Sequence, residues 1–213
     1  MYAIVSPKEL NLAPGTVVRL LGDWQDYLAL YEQRGGDNSL PRIKYRPGEI
    51  LLMAPLPEHG EGADLAADVV KVMLDYPERE YKAFTPITIK LPEQSGIEPD
   101  YCFYIDNWQA IAGKKRIDWS NEPPPDLVIE IDVTSYTDAN DYLPFRVPEV
   151  WLLKANQLRI YGLQNNSYVL QTNSRFFPQF DVFAVFQEAS QLADGRTVIY
   201  AIRSLRRKLQ DMT

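Results

Sequence analysis

The chain has 213 residues, 46% of them hydrophobic, which is enough for one large domain with a substantial core. Its formal charge of −7 and pI near 4.8 disfavour non-specific nucleic-acid binding, because such binding depends on neutralising phosphates. A single cysteine and a single histidine exclude an internal disulfide and a cysteine–histidine zinc site, so any metal ion must be bound mainly by oxygen, which favours magnesium or manganese.

Neither a membrane anchor nor a secretion signal is visible in the sequence. No apolar stretch approaches the roughly 20 residues of a membrane span, and the N-terminus lacks the basic-then-apolar order of a signal peptide. We therefore expect a soluble, cytoplasmic protein with no membrane partner.

The charge is uneven, with basic clusters at residues 114–116 and 203–208, and each cluster is interpreted either as a phosphate contact or as a solvated surface.

The first part of the chain predicts an irregular N-terminal segment over residues 1–20 with a short strand at most, followed by a helix, a hairpin and a second helix. Apolar residues at helical spacing predict the first helix over 24–33. The turn sequence Arg46-Pro47-Gly48 between two apolar runs predicts a β-hairpin across 44–54. An apolar stripe predicts an amphipathic helix over 63–76.

The only histidine lies just before the second predicted helix, in segment 58–62. One interpretation is functional: Glu58 or His59 would complete a metal or phosphate site at the start of the helix. The other is structural, with the segment serving only as a capping loop. Both interpretations remain open from the sequence.

Two strands, interrupted by Pro86, are expected over residues 81–91, and a further strand over 97–105 has Asp100 near its start. A connecting loop is expected over 106–125.

The run 126–135 is β-rich and carries acids where a buried strand should have none. Because successive side chains of a strand alternate between faces, its carboxylates share one face with Val128, namely Asp126, Glu130 and Asp132. Buried carboxylates are costly unless a cation or hydrogen-bond donors compensate them. The strand therefore predicts a metal site, and the alternative is an edge strand with a solvated acidic face.

The last third of the chain predicts a short helix within 136–145, a hairpin over 150–163 and a strand over 167–172. The aromatic segment 176–186 is interpreted as core or as a dimer interface. A C-terminal helix is expected over 198–213. Together the elements predict a single α/β (α+β) domain over the whole chain, with a mixed sheet flanked by helices.

Three motifs occur in a fixed order and carry a resemblance to a known family: Pro99-Asp100, then Pro125-Asp126-Leu127-Val128-Ile129-Glu130, then Val147-Pro148-Glu149-Val150-Trp151. In this order they resemble the Uma-type putative restriction endonuclease family of the PD-(D/E)XK nuclease superfamily. Residues 48–53 and 58–60 are similar to the N-terminal half of that family. The resemblance covers roughly residues 24–163.

This resemblance implies a restriction-endonuclease-like central mixed sheet in which Asp100 and Glu130 come from adjacent strands and bind a divalent cation. It implies the backbone carbonyl of Ile131 as the third ligand and Mg²⁺ or Mn²⁺ as the ion. Such an ion polarises a phosphoryl oxygen and activates the attacking water. The implied substrate is nucleic acid, DNA rather than RNA, and the implied assembly is a homodimer.

The sequence departs from the superfamily pattern where a lysine is expected two residues after the acid, because Asp132 stands there. Asp138 and Tyr136, at other places where a lysine can stand, are not basic either. Lys90 on a neighbouring strand is the remaining candidate. Asp132 is interpreted as a catalytic-site residue and a possible third carboxylate ligand, which would strengthen cation binding without supplying the positive charge that catalysis requires.

Two functions follow from these observations. The first is a magnesium- or manganese-dependent nuclease in which Asp100, Glu130 and Asp132 form the site and Glu58 or His59 supports it. The second is a catalytically degenerate nuclease fold that serves as a binding or regulatory module, a homodimer formed through segment 176–186. The paired acids favour the first, whereas the missing lysine and the acidic net charge favour the second.

Overall fold

The computed structural model describes residues 12–35, 41–132, 137–155 and 157–211. Its strands are β1 (Val17–Leu21), β2 (Arg42–Arg46), β3 (Glu49–Met53), β4 (Lys82–Phe84), β5 (Ile89–Leu91), β6 (Ser95–Ile97), β7 (Tyr101–Tyr104), β8 (Leu127–Ile131), β9 (Glu149–Lys154), β10 (Gln157–Gln164) and β11 (Ser167–Gln171). Its helices are α1 (Trp24–Arg34), α2 (Pro57–Asp75), α3 (Trp108–Ile111), α4 (Val182–Gly195), α5 (Val198–Gln210) and a 3₁₀ helix over Ala139–Tyr142. Within these ranges no helix combines the length and the apolar character that crossing a membrane requires.

The strands form two sheets. The larger has the order β11-β10-β9-β8-β7-β4, and the smaller has the order β1-β3-β2-β6-β5. β8 pairs antiparallel with β7 and parallel with β9, so the larger sheet is mixed and β8 lies inside it. The predicted α+β class with a mixed sheet and flanking helices is confirmed. The sequence did not predict that the hairpin β2–β3 belongs to a separate, antiparallel sheet.

The two faces of β8 are buried against different parts of the molecule. Leu127, Ile129 and Ile131 belong to a core cluster that also contains buried residues of α2, α4 and α5. Val128 belongs to a second cluster, which includes Ile89 of the smaller sheet. The alternation predicted for this strand is therefore present, and its acidic face points toward the smaller sheet.

Helix α2 begins at Pro57, earlier than the sequence predicts, so segment 58–62 forms its first turns and not a loop. Proline is well suited to the first helical position, and the His59 ring accepts a hydrogen bond from the backbone N–H of Leu56. Gly62 lies close to β8, because a Cβ added there would be 3.4 Å from Cγ2 of Ile131. The start of α2 is thereby packed against the acidic strand.

The aromatic segment lies in the core. Phe176, Phe177, Phe180 and Phe186 are buried in the cluster around α2 and β8. Phe183 and Val185 of the same segment are only partly buried, and the alternative interpretation, a dimer interface formed by this segment, stays a prediction. The segment continues into α4, which the sequence analysis did not identify as a helix, although Asp181 caps it by accepting a hydrogen bond from Ala184.

The other predicted elements fall close to those of the structure. The predicted C-terminal helix corresponds to α5, and the hairpin over 150–163 corresponds to β9–β10. The predicted short helix within 136–145 is a 3₁₀ helix, and Tyr136 lies outside the described residues. Strand β1 forms at the end of the N-terminal segment, which agrees with the short strand that the prediction allowed there.

Candidate active site

The pairing of β7 with β8 brings Asp100 and Glu130 together. Tyr101 is opposite Ile129 in the antiparallel register, which places Asp100 across from Glu130. Oδ2 of Asp100 accepts a hydrogen bond of 2.8 Å from the backbone N–H of Ile131. Asp100 and Glu130 are only 3% and 8% exposed. Two buried carboxylates on adjacent strands therefore form the centre of the candidate site, which we call the acid pair.

The surroundings of Glu130 raise the pKa of its carboxyl group. Burial, together with the negative charge of Asp100, raises the pKa of Glu130 to about 8, while Lys44, Arg42 and a hydrogen bond from Tyr142 act in the opposite direction. Tyr142 donates its hydroxyl to Oε1 of Glu130. Burial also raises the pKa of Tyr142 well above its usual value, so this hydroxyl remains a donor at physiological pH. Such a carboxylate gains stability from a nearby cation.

A row of basic side chains from the smaller sheet lies next to the acid pair. Arg42, Lys44 and Arg46 alternate along β2 with Ile43 and Tyr45, which are buried. We call these three residues the basic row.

The contacts of the basic row connect the two sheets. Arg42 forms an ion pair with Asp100, and Lys44 forms one with Asp141. Nε of Arg46 lies 2.5 Å from Oδ1 of Asp141, and the residue after Asp141 is Tyr142, which contacts Glu130. Sequence reasoning missed the basic row, although the alternating pattern Arg-Ile-Lys-Tyr-Arg was a signal for it.

His59 is placed beside the acid pair as a hydrogen-bond donor. It is 2% exposed, and its Nδ1 accepts a hydrogen bond of 3.0 Å from the backbone N–H of Leu56. In a neutral imidazole the proton is then assigned to Nε2, and this buried atom has no partner among the described residues. Burial lowers the pKa of His59, with Asp100 and Arg42 among the charges that affect it. This tautomer can donate to a ligand and cannot bind a metal ion through Nε2.

The other acids on the same strand face have different surroundings. Asp126 has a structural role, because its Oδ2 accepts hydrogen bonds from the backbone N–H groups of Ile105, Asp106 and Asn107 at 2.7, 2.9 and 3.0 Å. Asp132 comes two residues after Glu130 in the sequence, and its Oδ2 is 3.3 Å from Nζ of Lys154. Oδ1 of Asp132 is buried and has no hydrogen-bond partner within the described part of the chain.

The oxygen donors at this site fit a hard divalent cation. Asp100, Glu130 and the carbonyl of Ile131 would supply three ligands, and magnesium commonly keeps several of its waters. Across the described residues no group of three or more His, Cys, Asp or Glu side chains could hold a metal ion, so the structure gives no support for Asp132 as a third carboxylate ligand. Arg42 is already paired with Asp100, and a bound cation would compete with it.

Two further residues considered from the sequence lie away from the acid pair. Lys90 is in β5 of the smaller sheet and not on a strand next to the acids, and its Nζ lies 3.9 Å from the ring centroid of Tyr31. This correction follows from the assignment of β5 to the second sheet, whose pairing the sequence does not specify. Glu58 is exposed in the first turn of α2.

Comparisons with known proteins agree with this arrangement. Residues 24–194 match a protein family, Uma2, described as "Putative restriction endonuclease". Among solved structures, the chain resembles a putative nuclease of the DUF820 family from Anabaena variabilis, with a TM-score of 0.53 and 16% sequence identity over 78% of this chain and 98% of that chain. At this identity the likeness concerns the fold alone. Among curated proteins, none matches the chain.

Proposed function

Because the chain belongs to the Uma2 family of putative restriction endonucleases, we propose that it is a divalent-metal-dependent nuclease that hydrolyses phosphodiester bonds in DNA. The observation that supports this proposal most strongly is the buried acid pair beside the basic row. Negative groups that favour a cation are thus placed next to positive groups that favour a phosphate.

The acid pair would hold the metal ion. Asp100 and Glu130 would bind Mg²⁺ or Mn²⁺ together with the carbonyl of Ile131, as the resemblance implies. When bound, such an ion polarises the phosphoryl oxygen and lowers the pKa of the attacking water. Tyr142 supports the site by orienting Glu130 through its hydroxyl.

The basic row would supply the positive charge that the motif lysine normally provides. Lys44 is close enough to lower the pKa of Glu130, and its side chain is 18% exposed. An ammonium group has three donors, so Lys44 can keep its bond to Asp141 and also donate to a phosphate oxygen. His59 would donate its Nε2–H to the same phosphate, since the charge of Asp100 acts on the pKa of His59 and Nε2 has no described partner.

The alternative is a degenerate nuclease fold that acts as a homodimeric binding module. It rests on the missing lysine, for which the basic row offers a replacement, and on the acidic net charge. The phenylalanines of segment 176–186 that are buried belong to the core. A homodimer and a cytoplasmic location remain predictions.

A metal-dependent cleavage assay tests the proposed function. Wild-type protein is incubated with linear and supercoiled DNA in the presence of Mg²⁺ or Mn²⁺, and parallel samples contain EDTA. We expect cleavage that EDTA abolishes and that falls at least about 10²-fold in Asp100→Asn and Glu130→Gln. Glu80→Gln, a change at an exposed acid, serves as the matched control. Equal cleavage by wild type and Glu130→Gln would contradict the proposal.

A further inference from the structure

A polar cavity of about 360 Å³ lies on the acidic face of the larger sheet. This volume is within the range of roughly 300–1,000 Å³ that is common for ligand pockets. The side chains that matter for its chemistry are Arg46, Asp132, Lys154, Arg159, Tyr161 and Tyr168. None of them belongs to the acid pair, but Arg46 belongs to the basic row, so the cavity adjoins the candidate active site.

The strand registers place the cavity next to the acid pair. Glu130 is opposite Leu152 in the pairing of β8 with β9, and Leu152 is opposite Arg159 in the pairing of β9 with β10. Arg159 is thus two strands away from Glu130 in the same row, a distance of about 10 Å at the usual spacing between strands. A ligand in the cavity could be continuous with one at the acid pair.

The charged groups of the cavity match both an anion and a hydrogen-bond donor. Arg159 is exposed on β10 and forms no ion pair with any residue that the structure describes. Lys154 lies beside it on the next strand and is 40% exposed. Asp132, by contrast, is a negatively charged hydrogen-bond acceptor. Its side chain is 3% exposed, and its Oδ1 has no hydrogen-bond partner among the described residues. A ligand that carries an anionic group and an N–H or O–H donor could bind the two basic side chains with the first and Asp132 with the second.

Two tyrosines form an aromatic part of the wall. Tyr161 and Tyr168 lie on the same face of β10 and β11, as their register shows. Tyr168 donates its hydroxyl to the carbonyl of Val147 at 2.7 Å, which fixes the ring. Nucleobases stack on such rings with little dependence on sequence.

We propose that this cavity binds the nucleotide next to the scissile phosphodiester. Its phosphate contacts Arg159 and Lys154, its base packs against Tyr161 and Tyr168, and a donor of the nucleoside bonds to Asp132. The proposal rests on the proposed nuclease function, because it assigns part of the substrate of the same site. It also gives Asp132, the residue in the motif lysine position, a role in substrate binding.

A binding titration without metal tests this assignment. Deoxyadenosine monophosphate and inorganic phosphate are titrated, in EDTA, into wild type, Arg159→Gln and Arg196→Gln, and binding is followed by ligand-observed NMR. Arg196 is the matched control because it is an exposed arginine between α4 and α5, which pack on the opposite face of the sheet, and it lies outside the basic clusters. We expect the nucleotide to bind wild type more tightly than phosphate does, and to bind Arg159→Gln about tenfold more weakly. Arg196→Gln should behave as wild type.

Three results would overturn the assignment. These are nucleotide binding that is equal in Arg159→Gln and wild type, phosphate binding as tight as nucleotide binding, and no nucleotide binding to wild type. Because EDTA is present throughout, the outcome does not depend on metal binding or cleavage. A failure here therefore leaves the nuclease proposal standing, and loss of cleavage in the metal-dependent assay does not imply failure here.

Discussion

Glu130 couples the stability of the protein to pH. Its pKa in the folded protein is about 8, above the ordinary value of 4.5, chiefly because the side chain is buried. The folded state therefore holds this proton more tightly than the unfolded state. The resulting contribution to stability is complete below the ordinary pKa and is lost as the pH rises through the folded pKa.

The substitution Glu130→Gln should remove this dependence, because glutamine is neutral at every pH. Without metal, Glu130→Gln should gain thermal stability relative to wild type when the pH is raised from about 5 to about 9. Thermal unfolding followed by circular dichroism in EDTA measures the difference in Tm. A difference that is the same at both pH values would show that Glu130 does not titrate in this range.

His59 is expected to act on the substrate and not on the metal ion. In His59→Gln the new side chain can still accept from the backbone of Leu56, as glutamine does at the third position of a capping box. The buried Nε2–H donor is lost. We expect kcat/KM for DNA cleavage to fall about 10²-fold, as when one oxyanion donor is removed, while Mn²⁺ affinity is unchanged. A parallel loss of Mn²⁺ affinity would assign His59 to the metal site instead.

Strand β2 has two roles, since its basic row neutralises the acid pair and joins the two sheets. Replacing Arg42 by Gln leaves Asp100 without its ion-pair partner and removes a charge that lowers the pKa of Glu130. The free energy of unfolding without metal should fall by about 3 kcal/mol, as for other broken buried ion pairs. Mn²⁺ affinity should rise, because Arg42 no longer competes for Asp100. Urea denaturation and calorimetry measure the two effects.

Arg19→Gln is the control for this substitution. Arg19 pairs with Glu49 in the same sheet but is 67% exposed, so its loss should change stability by less than about 1 kcal/mol. If Arg42→Gln and Arg19→Gln had the same effect on stability and Mn²⁺ affinity, the role given to Arg42 would be wrong.

Local sequence patterns predicted individual strands and helices better than they predicted which strands pair with each other. The alternation in β8 and the turn between β2 and β3 can be read from neighbouring residues. The pairing of β2 with β6 cannot, because it joins residues far apart in the chain, such as Tyr45 and Gly96. The placement of Asp100 beside Glu130 is also a long-range pairing, and it was expected from the family resemblance, whereas the basic row beside it was not foreseen.

The start of α2 was missed for a different reason. Gly60 and Gly62 have low helix propensity, which favours a loop when each residue is judged alone. In the structure Gly62 packs against Ile131 of β8, and this tertiary contact outweighs the propensity. The capping interpretation of segment 58–62 is supported by the hydrogen bond from Leu56 to His59, and a functional role of this helix start stays a prediction.

At the level of the whole molecule, the net charge of −7 hides a local separation of charge. The basic row and the cavity with Lys154 and Arg159 lie on the face that carries the acid pair. We propose that DNA contacts lie on this face, where the positive groups adjoin the acid pair. A second basic cluster, residues 203–208, lies on α5 at the opposite face of the larger sheet. Family membership supports a nuclease, and the positions of these charges indicate where its substrate would bind.

The binding of a divalent cation by the acid pair is the central claim, and calorimetric titration of Mn²⁺ tests it without any assumption about the substrate. The titration compares wild type, Glu130→Gln and the control Glu80→Gln, in which an exposed acid is changed. We predict that wild type and Glu80→Gln bind Mn²⁺ alike and that Glu130→Gln loses this binding. Unchanged affinity in Glu130→Gln, or no binding to wild type, would contradict the assignment of a metal site to Asp100 and Glu130.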